Sequence, residues 1–262
     1  MFGFINNSEN KIFISGRELL GVENVNLNYS NSYSASRFLG MSRSHSLVMN
    51  DVQKSVSFSR YLIYNDPLFS SNPALPISGS INYNGSGYGF TSGFLTEYSV
   101  NCAVGAVPNV NAAMSIFGEM RTGINASGNA TQPTIYIPNQ GSISLVCDNA
   151  TTNRVVGFDY AIKYLREPIY SIGSRFPVDV FSMPSIEYTA SVQLDVDDAF
   201  LKSADSFLLQ RENKTVSFTI RSRDGLQVLQ TLTIPNASLI GENITSSADG
   251  GVKLTINYAG QT

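Results

Sequence analysis

Two segments of this 262-residue chain repeat one pattern, and the repetition constrains the fold more than any other feature. Residues 94–119 and 238–260 each start an alternating strand at a leucine, Leu95 or Leu239, and pass through a glycine-containing turn. Each then ends a second alternating strand near an aromatic residue and a glycine. Because alternation of apolar and polar residues is typical of half-buried strands, the repetition predicts two mostly-β units, each closed by a hairpin.

The repetition extends upstream of these hairpins. Residues 54–69 align with 185–200, and residues 11–29 align with 142–160, at low identity but with the same order of elements. The near-constant offset supports two copies of one unit joined head to tail.

A segment rich in Gly, Pro and Asn lies between the two halves, as expected of a linker. We therefore expect a first unit at 1–123, a linker at 124–141 and a second unit at 142–262. Within the linker, residues 134–137 could form one short strand.

Strands dominate both halves. Alternation predicts strands that include residues 25–29, 56–60 and 186–196. Asn84-Gly85 and Arg223-Asp224-Gly225 each follow a strand pattern and predict hairpin turns.

Helices are few. Residues 198–209 have helical spacing of apolar residues after an N-cap at Asp197 or Asp198. Their counterpart, 66–75, starts at Pro67 and is shortened by Pro73. The expected fold is therefore mainly β: two tandem units of β-sandwich or barrel type, each with about seven strands and one short flanking α-helix.

Charge is scarce in this chain. Charged residues make up 14% of it, against 42% hydrophobic residues, and the net charge is −3. Interface cores contain few charged and many aromatic residues, so this composition is typical of a chain that buries surface against partners. A weakly acidic chain without a basic patch gives little support to tight nucleic-acid binding.

The N-terminus, MFGFINNSENK, lacks the basic and apolar regions of a signal peptide. No apolar run approaches the ~20 residues that span a bilayer. We expect a protein made in the cytoplasm, with no membrane partner.

Few residues are candidates for a catalytic or metal-binding role. His45 is the only histidine, so a general base or metal ligand there would lack a second histidine. A nucleophilic Cys102 or Cys147 would have His45 as its only candidate base, and buried small residues explain both cysteines better.

Other clusters have simpler explanations too. Asp195, Asp197, Asp198 and Asp205 could bind calcium but lack the usual loop pattern, and helix capping explains aspartates at a helix start. Paired carboxylates for glycoside hydrolysis remain open, since their separation is spatial. The glycine-rich residues 85–89 lack the Lys-Ser/Thr of a phosphate loop and fit a hairpin tip. We expect no enzyme, catalytic residue, metal or cofactor.

The aromatic side chains near the first hairpin leave an alternative open. They could form a sugar-stacking platform or could fill cross-strand and interface positions. The residues concerned are Tyr83, Tyr88, Phe90, Phe94 and Tyr98.

The C-terminal stretch TLTIPNASLIGENITSSADGGVKLTINYAGQ resembles the closing hairpin of bacteriophage tail tube proteins, and SGFLTEYSVNCAVGAVPNVNAAMSIFGE resembles the same hairpin. The resemblance implies two tandem tail-tube-like units of packed sheets with a flanking helix. It also implies stacked rings around a channel through which DNA passes during ejection. Because one chain carries two units, three copies would form a pseudo-hexameric ring.

The resemblance further implies a structural virion protein located in the tail. Its partners would be other copies of itself, the tape measure protein, the baseplate or tail tip, any sheath, and DNA in non-specific passage. Candidate acidic residues for the channel lining are Glu97, Glu119, Glu242 and Asp249.

Two alternatives remain open at this point. The same fold serves in tail-tip, distal tail and tube-initiator or adaptor rings, which the sequence does not separate from the tube. A carbohydrate-binding host-attachment module is the alternative of another class.

Overall fold

The protein is described from a computed structural model and consists mainly of antiparallel strands in one large sheet. The described residues are 11–36, 46–70, 72–83, 86–126, 134–138, 143–147, 150–196, 214–247 and 250–262.

The strands of the first half precede the linker. They are β1 (Lys11–Ile14), β2 (Arg17–Glu18), β3 (Val22–Ser36), β4 (Ser46–Tyr61), β5 (Ile77–Tyr83), β6 (Ser86–Ala103), β7 (Asn109–Ile116) and β8 (Met120–Thr122), with helix α1 (Pro67–Ser70) between β4 and β5.

The strands of the second half follow the linker. They are β9 (Ile143–Cys147), β10 (Ala150–Thr152), β11 (Val155–Ile169), β12 (Asp179–Val196), β13 (Lys214–Arg221), β14 (Val228–Ser247) and β15 (Gly250–Gln261).

The two halves pair their strands in the same order. The first half reads β2-β1-β5-β6-β7-β4-β3, and β8 pairs in addition with β6. The second half reads β10-β9-β13-β14-β15-β12-β11. Each strand of the second half therefore has a counterpart in the first.

Irregularities in the ladders recur at matching places. The β6–β7 ladder shifts register between Leu95 and Glu97, and the β14–β15 ladder shifts between Leu239 and Gly241. The first shift of the β3–β4 ladder, at Val22, likewise matches that of the β11–β12 ladder at Val155. Since a bulge pins the register of a ladder, these shifts fix which residues correspond.

The pairing confirms the correspondence of Leu95 with Leu239 and corrects the upstream alignment. Leu27 lies opposite Val56, and its counterpart Tyr160 lies opposite Ala190. Residues 11–29 therefore correspond to 144–162, two residues later than the sequence alignment placed them. The alignment of 54–69 with 185–200 was wrong by three residues, because low identity and simple alternation do not fix a register.

Helix α1 is shorter than predicted. It covers Pro67–Ser70 and not the whole of 66–75, because the backbone turns at Pro73 and Ala74. The Asp66 carboxylate accepts a hydrogen bond from the Leu68 amide at 2.9 Å, as expected of a residue that caps a helix. The second predicted helix, at 198–209, lies outside the described residues.

The short strand predicted at 134–137 is absent: residues 134–138 are described and form no strand. The Tyr136 amide donates one hydrogen bond to the Ile63 carbonyl at 2.7 Å, but no ladder follows. Pro133 and Pro138 flank this segment in the sequence, and neither has an amide to donate.

Both predicted hairpins are confirmed by the strands around them. Tyr83 lies opposite Ser86, so β5 and β6 are joined through residues 84–85, which themselves lie outside the described residues. In the second half, Gly225 has a φ of 73°, and its amide donates to the Ser222 carbonyl at 2.8 Å.

The sheet folds over on itself in the second half and encloses a core. Phe218 of β13 stacks on Phe158 of β11 with ring centroids 5.2 Å apart, although β11 and β13 are not paired. The Tyr160 hydroxyl donates to the Thr233 carbonyl of β14 at 3.0 Å. Strands β11–β12 and β13–β14 therefore pack face to face.

A fully buried ion pair sits at the start of α1. Arg60 Nη2 lies 2.5 Å from Asp66 Oδ2, and both side chains are 0% exposed. The Tyr98 hydroxyl donates to the same carboxylate oxygen at 2.8 Å, and the Asp66 amide donates to Gln230 of β14 at 3.4 Å. Burial alone would lower the pKa of Arg60, but the charge and hydrogen bond of Asp66, together with Tyr64 and Tyr98, outweigh burial and raise that pKa.

Candidate functional site

One strand pairing joins the two halves of the chain. Residues 157–163 of β11 pair antiparallel with residues 97–103 of β6. Tyr160 lies opposite Val100, and Ile162 lies opposite Tyr98. All four of these side chains are buried, so this joint, which we call the internal joint, is part of the hydrophobic core.

The strands that correspond to β6 and β11 in the other half of the chain lie at open edges of the sheet. Within the described part of the chain, β3 pairs with β4 alone, and residues 241–247 of β14 pair with β15 alone. β3 is the counterpart of β11, and this part of β14 is the counterpart of the β6 segment. One chain therefore carries both partners of a second joint, at opposite ends of its sheet.

A continuous ribbon of eight strands runs between these edges. Its order is β3-β4-β7-β6-β11-β12-β15-β14. An exposed edge strand offers unpaired backbone groups to another chain, and natural proteins usually cover or disrupt such edges.

One face of the ribbon packs on the core, and the other face is polar. We call this second face the polar face. The side chains that point to it, every second residue along each strand, are small and mostly uncharged. They include Asn24, Asn26, Asn28, Ser55, Ser57, Ser59, Ser99, Asn101, Asn109, Asn111, Thr189, Ser191, Gln193, Asn243, Thr245, Thr255 and Asn257.

Each lysine of the polar face has an acidic neighbour. Lys163 lies between Glu97 of β6 and Glu187 of β12 in the ladder. Lys253 of β15 lies opposite Asp195 of β12. With carboxylates opposite them in the ladder, the lysines offer little attraction to an anion, and the face as a whole is weakly acidic.

The predicted channel residues do not share one surface. Glu97 is exposed on the polar face. Glu242 lies opposite the buried Ile256, on the core side of the open β14 edge. Glu119 lies in the turn before β8 and is ion-paired with Arg121 at 2.8 Å, and Asp249 lies outside the described residues.

The residues considered for catalysis or metal binding fall mostly outside the described part of the chain. His45, Asp197, Asp198 and Asp205 lie outside the described residues. In the described ranges no group of three or more His, Cys, Asp and Glu side chains could hold a metal ion. The same residues contain no helix long and apolar enough to cross a membrane.

Three of the five aromatic residues considered for a sugar platform belong to the core. Phe90, Phe94 and Tyr98 are 2%, 6% and 0% exposed. Burial, reinforced by the neighbouring Asp66 carboxylate, raises the pKa of Tyr98 well above its ordinary value. These three rings fill the interior and cannot stack on a sugar at the surface.

Both cysteines are buried thiols. Burial raises the pKa of Cys102 to about 11. At pH 8 only about one Cys102 thiol in a thousand is then ionised, and the thiolate is the reactive form. We expect negligible maleimide labelling of the native protein at pH 7–8, faster labelling as the pH rises towards 11, and two fast labels in denaturant. Rapid labelling of the folded protein at pH 7 would be inconsistent with this burial.

The turn between β11 and β12 and the adjoining ends of both strands form an exposed apolar arm, which we define as residues 165–183. Its exposed apolar side chains are Leu165, Ile169, Tyr170, Ile172, Val178, Phe181 and Met183. Arg166 contacts the first half of the chain. Its Nε donates a hydrogen bond to the Leu95 carbonyl at 3.2 Å, and its guanidinium lies 5.7 Å from the Phe94 ring.

Sequence reasoning did not identify the open edges or the polar face as a functional surface. The alternation that marks the polar face was visible in residues such as Asn24, Asn26 and Asn28. Which strand ends a sheet depends on pairing between distant segments, and local patterns do not record this.

The sequence matches no protein-family model, and no curated protein matches it.

Proposed function

We propose that this protein is a structural subunit of a phage tail tube. In this proposal the chain comprises two tandem tail-tube-like units, at 1–123 and 142–262, with a linker at 124–141. Three chains close into a pseudo-sixfold ring, and stacked rings form a tube through which DNA passes.

The open edges carry this proposal. In the described residues, each chain makes one joint between its halves and leaves both partners of an equivalent joint open at the ends of the ribbon. An interface between two different patches of the same chain generates a closed ring when its rotation closes. Three eight-stranded ribbons joined in this way would have no exposed edge left.

The polar face supports the proposed channel. Small polar side chains cover it, and its lysines lie beside carboxylates. A surface of this kind offers little attraction to the phosphate backbone, since non-specific DNA binding depends on accessible Lys and Arg. DNA could therefore pass along it without being held.

Native mass spectrometry over a range of protein concentrations tests the proposal. We expect a species of about 85 kDa, three times the chain mass of 28.4 kDa, and multiples of it. A protein that stays monomeric at the highest concentration would argue against a ring-forming role of any kind.

The exposed arm is proposed to contact the next ring of the stack. Ile172 is 108% exposed and Phe181 is 51% exposed, and burying one such side chain contributes about 1.5–3 kcal/mol. Replacing both with Ser is expected to shorten or abolish tubes while rings persist. Electron microscopy of tube lengths measures this effect.

Leu226→Ser is the matched control for the arm, because Leu226 is 78% exposed at the β13–β14 turn and is not part of the arm. If the arm variant forms tubes of unchanged length, the arm does not form the contact between rings. If the unaltered protein forms rings that never stack, the adaptor or tail-tip role replaces the tube.

A further inference from the structure

The internal joint supplies a template for the contact between chains. In it, Tyr160 lies opposite Val100, Ala161 opposite Ser99 and Ile162 opposite Tyr98. If the open edges meet in the same way, the residues that correspond to these pairs must lie opposite each other.

The bulges shared by the two halves fix that correspondence. Leu27 of β3 corresponds to Tyr160, because they pair with Val56 and Ala190 at matching positions of their ladders. Ile244 of β14 corresponds to Val100, because they pair with Leu254 and Val110.

From this we infer that the β3 edge of one chain pairs antiparallel with the β14 edge of a second copy, with Leu27 opposite Ile244. The inference rests on the proposed function and specifies the partner and register of its ring contact. Two further pairs follow from the same register: Asn28 opposite Asn243, and Tyr29 opposite Glu242.

The exposure of these side chains supports a contact at these two edges. Ile244 is 58% exposed, whereas its counterpart Val100 is fully buried by the internal joint. Tyr29 is 55% exposed, whereas its counterpart Ile162 is 3% exposed. The side chains that the contact would cover are therefore those left open in the single chain.

The contact between chains is more polar than the internal joint. Glu242 takes the place of Tyr98, and Ser246 takes the place of Cys102, which lies opposite Phe158 in the internal joint. Fewer apolar side chains make the contact weaker, so that chains can associate reversibly before the ring closes. Replacing Glu242 with Leu would strengthen it.

Disulfide cross-linking between two variants, each with one added cysteine, tests the register. Directly opposite residues have Cα atoms about 4.5–5.5 Å apart, within the range that a disulfide bridges, whereas diagonal neighbours are about 7–8 Å apart. Asn28, Asn243 and Asn26 are all exposed on the polar face, so cysteine at these positions leaves the core intact.

We expect an oxidised mixture of Asn28→Cys and Asn243→Cys chains to give covalent dimers in high yield. A mixture of Asn26→Cys and Asn243→Cys chains, displaced by two residues along β3, is the matched control and should give at least fivefold fewer. The buried Cys102 and Cys147 add little background.

Native mass spectrometry of the same samples separates the two possible failures. Trimers that cross-link equally or better in the control mixture would overturn the register and leave the ring in place. Absence of trimers in every mixture, together with absence of cross-links, would overturn both the register and the proposed function.

Discussion

Replacing Ile244 with Asp is expected to abolish ring assembly and to leave a folded monomer. Ile244 is 58% exposed in the single chain, so the monomer loses little packing. In the ring a carboxylate at this position would be buried opposite Leu27, and burying an uncompensated charge costs several kcal/mol. A penalty of about 3 kcal/mol at each contact weakens it on the order of 100-fold.

Native mass spectrometry gives the oligomeric state of this variant, and circular dichroism gives its fold. Ile135→Asp is the matched control, since Ile135 is 54% exposed between β8 and β9 and lies outside both edges. The control is expected to assemble normally. Rings of undiminished stability in the Ile244→Asp variant would show that the β14 edge is not an interface.

Replacing Asp66 with Ala is expected to lower the free energy of unfolding by about 3–5 kcal/mol, because it leaves the buried Arg60 without its counter-ion. The substitution also removes the acceptor of the Tyr98 hydroxyl and the cap of α1. Urea denaturation measures the change. A loss below about 1 kcal/mol would mean that the ion pair is not buried in solution.

A second substitution tests the origin of that loss. Leu194 occupies the position in β12 that corresponds to Arg60, since they lie opposite Val155 and Val22. Arg60→Leu combined with Asp66→Ala is therefore expected to recover much of the stability lost by Asp66→Ala alone. Glu119→Ala, which breaks the exposed pair with Arg121, should leave stability unchanged.

Local patterns predicted much of the fold. Strands such as β3, β4 and β12 follow from alternation, because successive side chains of a strand point to opposite faces. The turn at residues 223–225 followed from its composition. The match of Leu95 with Leu239 was also predictable, since both start the last hairpin of their half.

Other features depend on contacts between distant residues. Arg60 continues the apolar side of its strand after Val56 and Phe58, but the sequence does not reveal Asp66 as its partner. The pairing of β6 with β11 likewise joins segments whose own patterns only show that each is a strand. The open edges follow from that pairing, so they could be located only in the folded chain.

Electron microscopy of the purified protein at high concentration tests ring formation most directly. End-on averages are expected to show closed rings with six similar lobes around a channel, built from three chains. Isolated single-chain particles, or open chains of indefinite length with no closed ring, would contradict a ring formed through the β3 and β14 edges.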